Sequence, residues 1–302
     1  MKMTNIPNDK RSMDFGSAFA IMDPAATKLL RQNYNFTDLN SDSIIDEYLY
    51  EFDTWIRSTS NNVFTGLDDF KHRCYSNGTT EAFDKFYMKN AQRRFRCYKG
   101  EYMYHKLAWR DKFNWAWVEE APLHKNDAVI ISLPFADTGD KHVDYHDLMR
   151  KCSELNIPVL VDCAYFGACR HIHIDVAYPC ITDVTFSLSK TFPLAYARVG
   201  IRYTKEDNDD TMFVYHKINY NNKIGALLGL EYFKHFGPDY ISNKYLDKQT
   251  EFCNNTNVLP SKTVLFGIDN NNKYPQYNRG GTSNRLSFHK QYIKGLDIAS
   301  TK

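Results

Sequence analysis

The chain has 302 residues, 43% apolar and 25% charged, with only 14 Gly and 10 Pro; this is the composition of a globular protein and excludes wholesale disorder and collagen-like repeats. At roughly 150 residues per domain the length suggests two domains. Net charge is +2, from 38 basic and 36 acidic residues, which gives no reason to expect nucleic acid as a partner. Seven cysteines, with no Cys-x-x-Cys pair, are too dilute for a disulfide scaffold. The start, MKMTNIPNDKRSMDFG, is too polar for a secretory signal, and no apolar run approaches the ~20 residues of a membrane span. The expectation is a cytoplasmic protein with no membrane partner.

Residues 1–40 read as an irregular arm with one short helix after Pro24. A firmer helix follows, capped by Ser41 or Asp42, with Ile44, Ile45, Tyr48, Leu49, Phe52, Trp55 and Ile56 at helical spacing. Tyr75-Ser-Asn-Gly-Thr-Thr reads as a turn into the helix TTEAFDKFYMKN. Arg94 to Tyr98 is extended, and FNWAWVE from Phe113 alternates like a half-buried strand. AVIISLP (128–134), PVLVD (158–162), DVTFSL (183–188) and RVGIRY (198–203) are apolar runs of strand length, the first two separated by the helix DYHDLMRKCSELN. Such strands alternating with helices predict a mostly parallel sheet covered on both faces. Beyond the polar stretch KEDNDD (205–210), KINYNNKIGALLGLEYFKHF reads as a broken helix, and VLFGI (264–268) and RLSF (285–288) as short strands of a smaller lobe. Residues 41–210 are thus expected to form the large domain, with 1–40 as arm and 211–302 as small domain.

Ligands of open parallel sheets bind outside the carboxyl ends of the strands. PVLV ends in Asp162, followed by Cys-Ala-Tyr165, and DVTFSL ends in Ser189-Lys190. Taken alone, a lysine past a strand is a solvated end and an aspartate there a turn residue. Their company changes the reading. Ser187 precedes the lysine by three residues and Arg198 follows it by eight, while Asn77-Gly78-Thr79-Thr80 opens a helix whose free N–H groups suit an anion such as phosphate. A phosphate cradle, a nucleophilic lysine and a buried acid are together what pyridoxal phosphate requires: a lysine for its aldehyde, an acid for its ring nitrogen, donors and a cation for its phosphate.

The segments SLSKTFPLAYARVG (187–200), VDCAYFG (161–167), NGTTEA (77–82) and NRLSF (284–288) resemble, in order, motifs of the fold-type-I pyridoxal-phosphate enzymes, in their aspartate-aminotransferase-like (class I/II aminotransferase) branch. The resemblance runs from about Tyr75 to Phe288 and implies an α/β fold, with a mostly parallel sheet, helices on both faces and a reduced α+β small domain. It implies Lys190 as the Schiff-base lysine, Asp162 on the ring nitrogen and Tyr165 on the 3-hydroxyl. Gly78, Thr79, Thr80, Ser187 and Arg198 would hold the phosphate, Tyr102 would stack on the ring (with Tyr98 and Tyr104 as alternatives), and Arg285 would grip the substrate carboxylate.

One stretch departs from the pattern. The family's Asn-Pro-x-Asn-Pro-Thr-Gly reads Leu133-Pro-Phe-Ala-Asp-Thr138-Gly139, so Ala136 stands for the second Asn, and Asp137 would place a negative charge near the Tyr165 phenolate unless it points away. The implied activity is transfer of an amino group between an amino acid and a 2-oxo acid. The alternatives are a decarboxylase, β/γ-lyase or aldol-type enzyme on the same cofactor, or a non-catalytic pyridoxal-phosphate-binding protein. The resemblance also implies a homodimer, with the arm suited to packing across a partner. His171 and His173 lack further ligands at metal spacing, so no metal is expected, and Cys163 and Cys169 read as packing residues.

Overall fold

The computed structural model describes residues 15–32, 34, 39, 41–207 and 210–292. In chain order its main elements are α1 (Pro24–Leu29), α2 (Ile44–Arg57), β1 (Val63–Thr65), β2 (His72–Asn77), α3 (Thr79–Lys89), β3 (Arg94–Cys97), α4 (Met103–Trp109), β4 (Trp115–Trp117), β5 (Asp127–Ser132), α5 (Tyr145–Glu154), β6 (Val159–Asp162), β7 (His173–Asp175), β8 (Ile181–Ser187) and β9 (Val199–Thr204). They continue as α6 (Thr211–Lys217), α7 (Lys223–His235), α8 (Tyr240–Lys244), α9 (Leu246–Thr256), β10 (Leu259–Pro260), β11 (Phe266–Asp269) and β12 (Asn284–Ser287).

Seven strands form the main sheet in the order β2-β9-β8-β6-β5-β3-β4. β4, β3, β5, β6 and β8 run parallel, and β9 is antiparallel to both its neighbours. β5 and β6 are buried at every residue, which is why their sequences are unbroken apolar runs rather than alternations. Two apolar layers cover the sheet. One holds Tyr48, Phe52, Trp55, Val129, Val161 and Phe186; the other holds Phe83, Phe86, Phe95, Trp109 and Leu160. β10, β11 and β12 form a separate antiparallel sheet.

Local differences from the sequence reading have physical causes. Tyr75–Asn77, read as a turn, is the end of edge strand β2, whose sequence HRCYSN is too polar to show a strand pattern. The helix cap is Ser43, not Ser41 or Asp42. The strand read in FNWAWVE is confined to Trp115–Trp117. The short helix after Pro24 is α1, capped by Asp23, whose buried carboxylate also accepts from Tyr240 (3.2 Å) and Tyr245 (2.8 Å). Phe15 O accepts from Ser287 N at 2.9 Å, and Tyr232 donates to Ala26 O at 2.5 Å. The described part of the arm therefore packs on its own chain; residues 1–14 lie outside the described residues. All seven cysteines are free and buried. No helix among the described residues is long and apolar enough to cross a membrane.

Arg96 on β3 is wholly buried. It is held by Asp127 at 2.7 Å and by the carbonyls of Ala116 (3.1 Å), Pro122 (3.0 Å) and Trp117 (2.9 Å). Asp127→Ala would leave that guanidinium buried without its countercharge and should cost about 3–5 kcal/mol in urea unfolding. Asp68→Ala, which removes an exposed partner of Arg57, should cost under about 1 kcal/mol. Equal costs would refute the role of Asp127.

Candidate active site

The topology gathers the chemistry on one edge. β3, β5, β6 and β8 end there, at Cys97, Ser132, Asp162 and Ser187. β9 runs the other way and starts there, just after Arg198, while β2 ends there at Asn77, paired with Val199. The segments 77–80, 98–102, 132–137, 162–165 and 187–198 thus converge, although 121 residues separate the ends of the span.

Gly78 sits between β2 and α3 at φ 71°, where a Cβ would come within 2.5 Å of Arg198 Nη2. Only glycine fits this turn without strain. The Arg198 guanidinium donates to Asn77 O from Nε (3.1 Å) and Nη2 (2.8 Å), and to Thr80 Oγ1 at 2.7 Å. A cation therefore lies beside the positive end of α3, a combination that an anion satisfies. Ser187 Oγ lies 3.2 Å from Val199 O and 2.7 Å from Ser189 Oγ. Ser189 was not singled out from the sequence, although it adjoins the lysine in SLSK.

Asp162 is buried, and its carboxyl accepts from Ala164 N at 3.0 Å and from the Thr79 hydroxyl. Burial, and then the nearby Glu101 carboxylate, push its pKa up to about 8. Lys190 Nζ donates to Ala18 O at 2.7 Å and lies 5.6 Å from the Phe19 ring. Burial pulls its proton affinity down; Tyr165 and Asp162 oppose that, and Arg285 and Arg279 reinforce it. Tyr165 is buried edge-on to Phe266, at 5.3 Å, and hydrogen-bonds Arg285. Arg285 on β12 lies 4.4 Å over the Phe266 ring and donates to Ala136 O. Burial, then the neighbouring Arg279, lower its pKa to about 10.

The remaining expected residue, Tyr102, caps the start of α4 with 38% of its surface exposed. Its rival Tyr98 is buried and stacks on His142 at 3.7 Å, and Tyr104 donates to Asp84 at 2.8 Å. Asp137 is buried against Gly100 and Gly281, with Arg279 Nε 3.7 Å away, so an arginine faces the charge expected to trouble Tyr165. Glu101 and Arg279 also belong to this site, and no local pattern marks them, since one lies in a polar turn and the other opens the short Arg279-Gly-Gly stretch.

No protein-family model matches the chain, and no curated protein matches it. Solved structures do. A C–S lyase from Staphylococcus hominis, bound to pyridoxal phosphate (PLP), is 13% identical, with 97% of this chain and 89% of that one covered at a TM-score of 0.63. An aminotransferase from Staphylococcus aureus is 12% identical, with 96% and 95% covered at 0.63. An aspartate aminotransferase double mutant from Thermus thermophilus is 12% identical, with 93% and 88% covered at 0.63. The chain has the α/β fold that these aminotransferases and C–S lyases share, which is the fold the resemblance implied.

The raised pKa of Asp162 makes a pH prediction. The folded protein keeps that proton up to about pH 8, whereas the unfolded chain releases it near 3.8. Stability of the ligand-free protein should therefore fall as pH rises through this window and level off above it. Asp162→Asn removes the penalty, so its melting temperature relative to the parent should climb from pH 5 to pH 8. A constant difference across thermal melts at these pH values would show that Asp162 ionises normally.

Proposed function

We propose that the protein is a PLP-dependent aminotransferase that moves an amino group between an amino acid and a 2-oxo acid, with Lys190 as the cofactor's covalent anchor. The observation that carries this reading is the convergence of Lys190, Asp162, Arg198 and Arg285 on one sheet edge. The residues present fit the cofactor. Gly78 leaves room for the Arg198 guanidinium, which puts a cation at the N-terminal end of α3, and Asp162 is a buried acid whose cost a protonated ring nitrogen would offset.

When bound, the cofactor supplies an electron sink conjugated to the substrate's α-carbon. In this reading Gly78 makes the turn, and Thr79 and Thr80 would offer backbone N–H groups to its phosphate, joined by Arg198 and the Ser187 hydroxyl. Asp162 would hold the ring nitrogen, Tyr165 the 3-hydroxyl, and Tyr102 a ring face. Lys190 Nζ, its proton affinity lowered by burial, would be the base that takes the proton from the substrate's α-carbon. Arg285 meets the substrate carboxylate with its planar fork. Residues 41–210 contribute the cofactor contacts, and the small domain, 211–302, contributes Arg285. Seven free thiols suit a reducing cytoplasm.

C–S lyases among the structural neighbours make elimination the second reading. One experiment separates the two. The cofactor-loaded protein is mixed with 15N-labelled amino acids and a 2-oxo acid. Label recovered in the amino acid formed from the 2-oxo acid supports transfer, whereas label released as ammonium supports elimination. Borohydride should trap the cofactor on Lys190, and Lys190→Ala should abolish both trapping and turnover. Trapping at another lysine would overturn the assignment.

We also propose a homodimer. Tyr196 (96% exposed), on the segment between Lys190 and Arg198, and Ile218, Tyr220 and Ile224, between the end of α6 and the start of α7, are exposed apolar side chains. A two-fold pairing would cover them. Sedimentation should give twice the chain mass; a fully active monomer would refute this.

A further inference from the structure

Glu101 lies in the turn after β3 and is only 6% exposed, yet it carries a carboxylate. Its side chain accepts from Ser132 N at 2.9 Å, from Tyr102 N at 3.0 Å and from the Ser132 hydroxyl. The line continues. Ser132 Oγ accepts from Ala136 N at 2.8 Å, and Ala136 O accepts from Arg285 Nη1. Glu101 also reaches the second arginine, since its backbone carbonyl accepts from Arg279 Nη2 at 3.1 Å.

A charge in this place is costly. Ser132 pairs with Asp162 across β5 and β6, and the two carboxyls repel, which adds to burial in raising the proton affinity of Asp162. A neutral side chain could brace the turn without that penalty. What a carboxylate adds is direction. A serine hydroxyl rotates freely between donor and acceptor settings. A carboxylate accepts and cannot donate, so it holds the Ser132 hydrogen toward itself and leaves the Ser132 lone pair for Ala136 N–H. Both peptide groups flanking Ala136 are then held, one by Ser132 and one by Arg285. Arg285 itself is clasped between the Phe266 face and Ala136 O, and stacking on a ring leaves the guanidinium free to turn in its own plane. The bond to Ala136 O, together with that from Tyr165, removes that freedom.

We propose that Glu101 is a positioning residue that aims the Arg285 fork through Ser132 and Ala136, and thereby sets how strongly the site prefers a ligand bearing a carboxylate. This rests on the function proposed above, in which Arg285 meets that carboxylate.

The test compares two amines on the cofactor-loaded protein, read as the change in cofactor absorbance on binding. 2-Methylalanine bears a carboxylate and has no α-hydrogen to lose; isopropylamine is the same skeleton without the carboxylate. In Glu101→Gln and in Ser132→Ala the affinity for 2-methylalanine should fall about tenfold, while that for isopropylamine stays within about twofold. The double variant should lose no more than either single one, because both break the same line. Ser132→Thr keeps the hydroxyl and should keep the parent's ratio, and it carries the test together with Ser132→Ala if Glu101→Gln does not fold. Equal losses for both amines, or losses that add in the double variant, would overturn the role of Glu101 alone. No absorbance change with either amine in the parent would overturn the cofactor reading, and this inference with it.

Discussion

The site is organised around a buried carboxylate. Asp162 ends a strand whose residues are all buried, and it has little water to stabilise its charge. Burial alone drives such a group toward neutrality. Lys190, whose charge Asp162 feels, is driven the same way from the basic side. An acid that resists losing its proton and an amine that resists keeping its own are useful together.

Other charged groups at the strand tips are arranged around these two. Arg198 reaches the site because β9 enters the sheet antiparallel between β2 and β8, so that its first residues lie where its neighbours' last ones do. Gly78 then permits the guanidinium to close on α3. On the far side, Arg285 on β12 and Arg279 before it bring two positive charges near Lys190, which helps to lower its proton affinity. The aromatic ring of Phe266 and the carbonyl of Ala136 give Arg285 a firm seat.

The departures at 136 and 137 are accommodated in place. Asp137 would be an uncompensated buried charge near Tyr165, but Arg279 approaches it, and Gly100 and Gly281 make room for its carboxyl. Ala136 has no side-chain donor or acceptor, but its backbone is bonded on both sides: its N–H donates to Ser132 Oγ and its carbonyl accepts from Arg285.

How much of this could be read from the residues depends on range. Apolar runs such as AVIIS and PVLVD report burial directly, because a parallel strand covered on both faces has no polar side to show. Segments with a fixed local geometry, NGTT before a helix and SLSK with its arginine eight residues on, carry their meaning within a few residues, and their positions were legible for that reason. Glu101, Arg279 and the seat of Arg285 were not. Their significance lies in partners 31 to 178 residues away, and no local pattern marks a glutamate in a polar turn as buried. The arm shows the same limit: its sequence carries no strong core signal, yet Phe15, Asp23 and Ala26 are tied to the far end of the chain. Sequence alone determined the buried parallel strands, the helix entry and the chemical types at their tips, since those follow from local sterics and periodic burial. Which of those groups face one another, and which charges are balanced, was decided only when the sheet order brought distant strand ends to one edge.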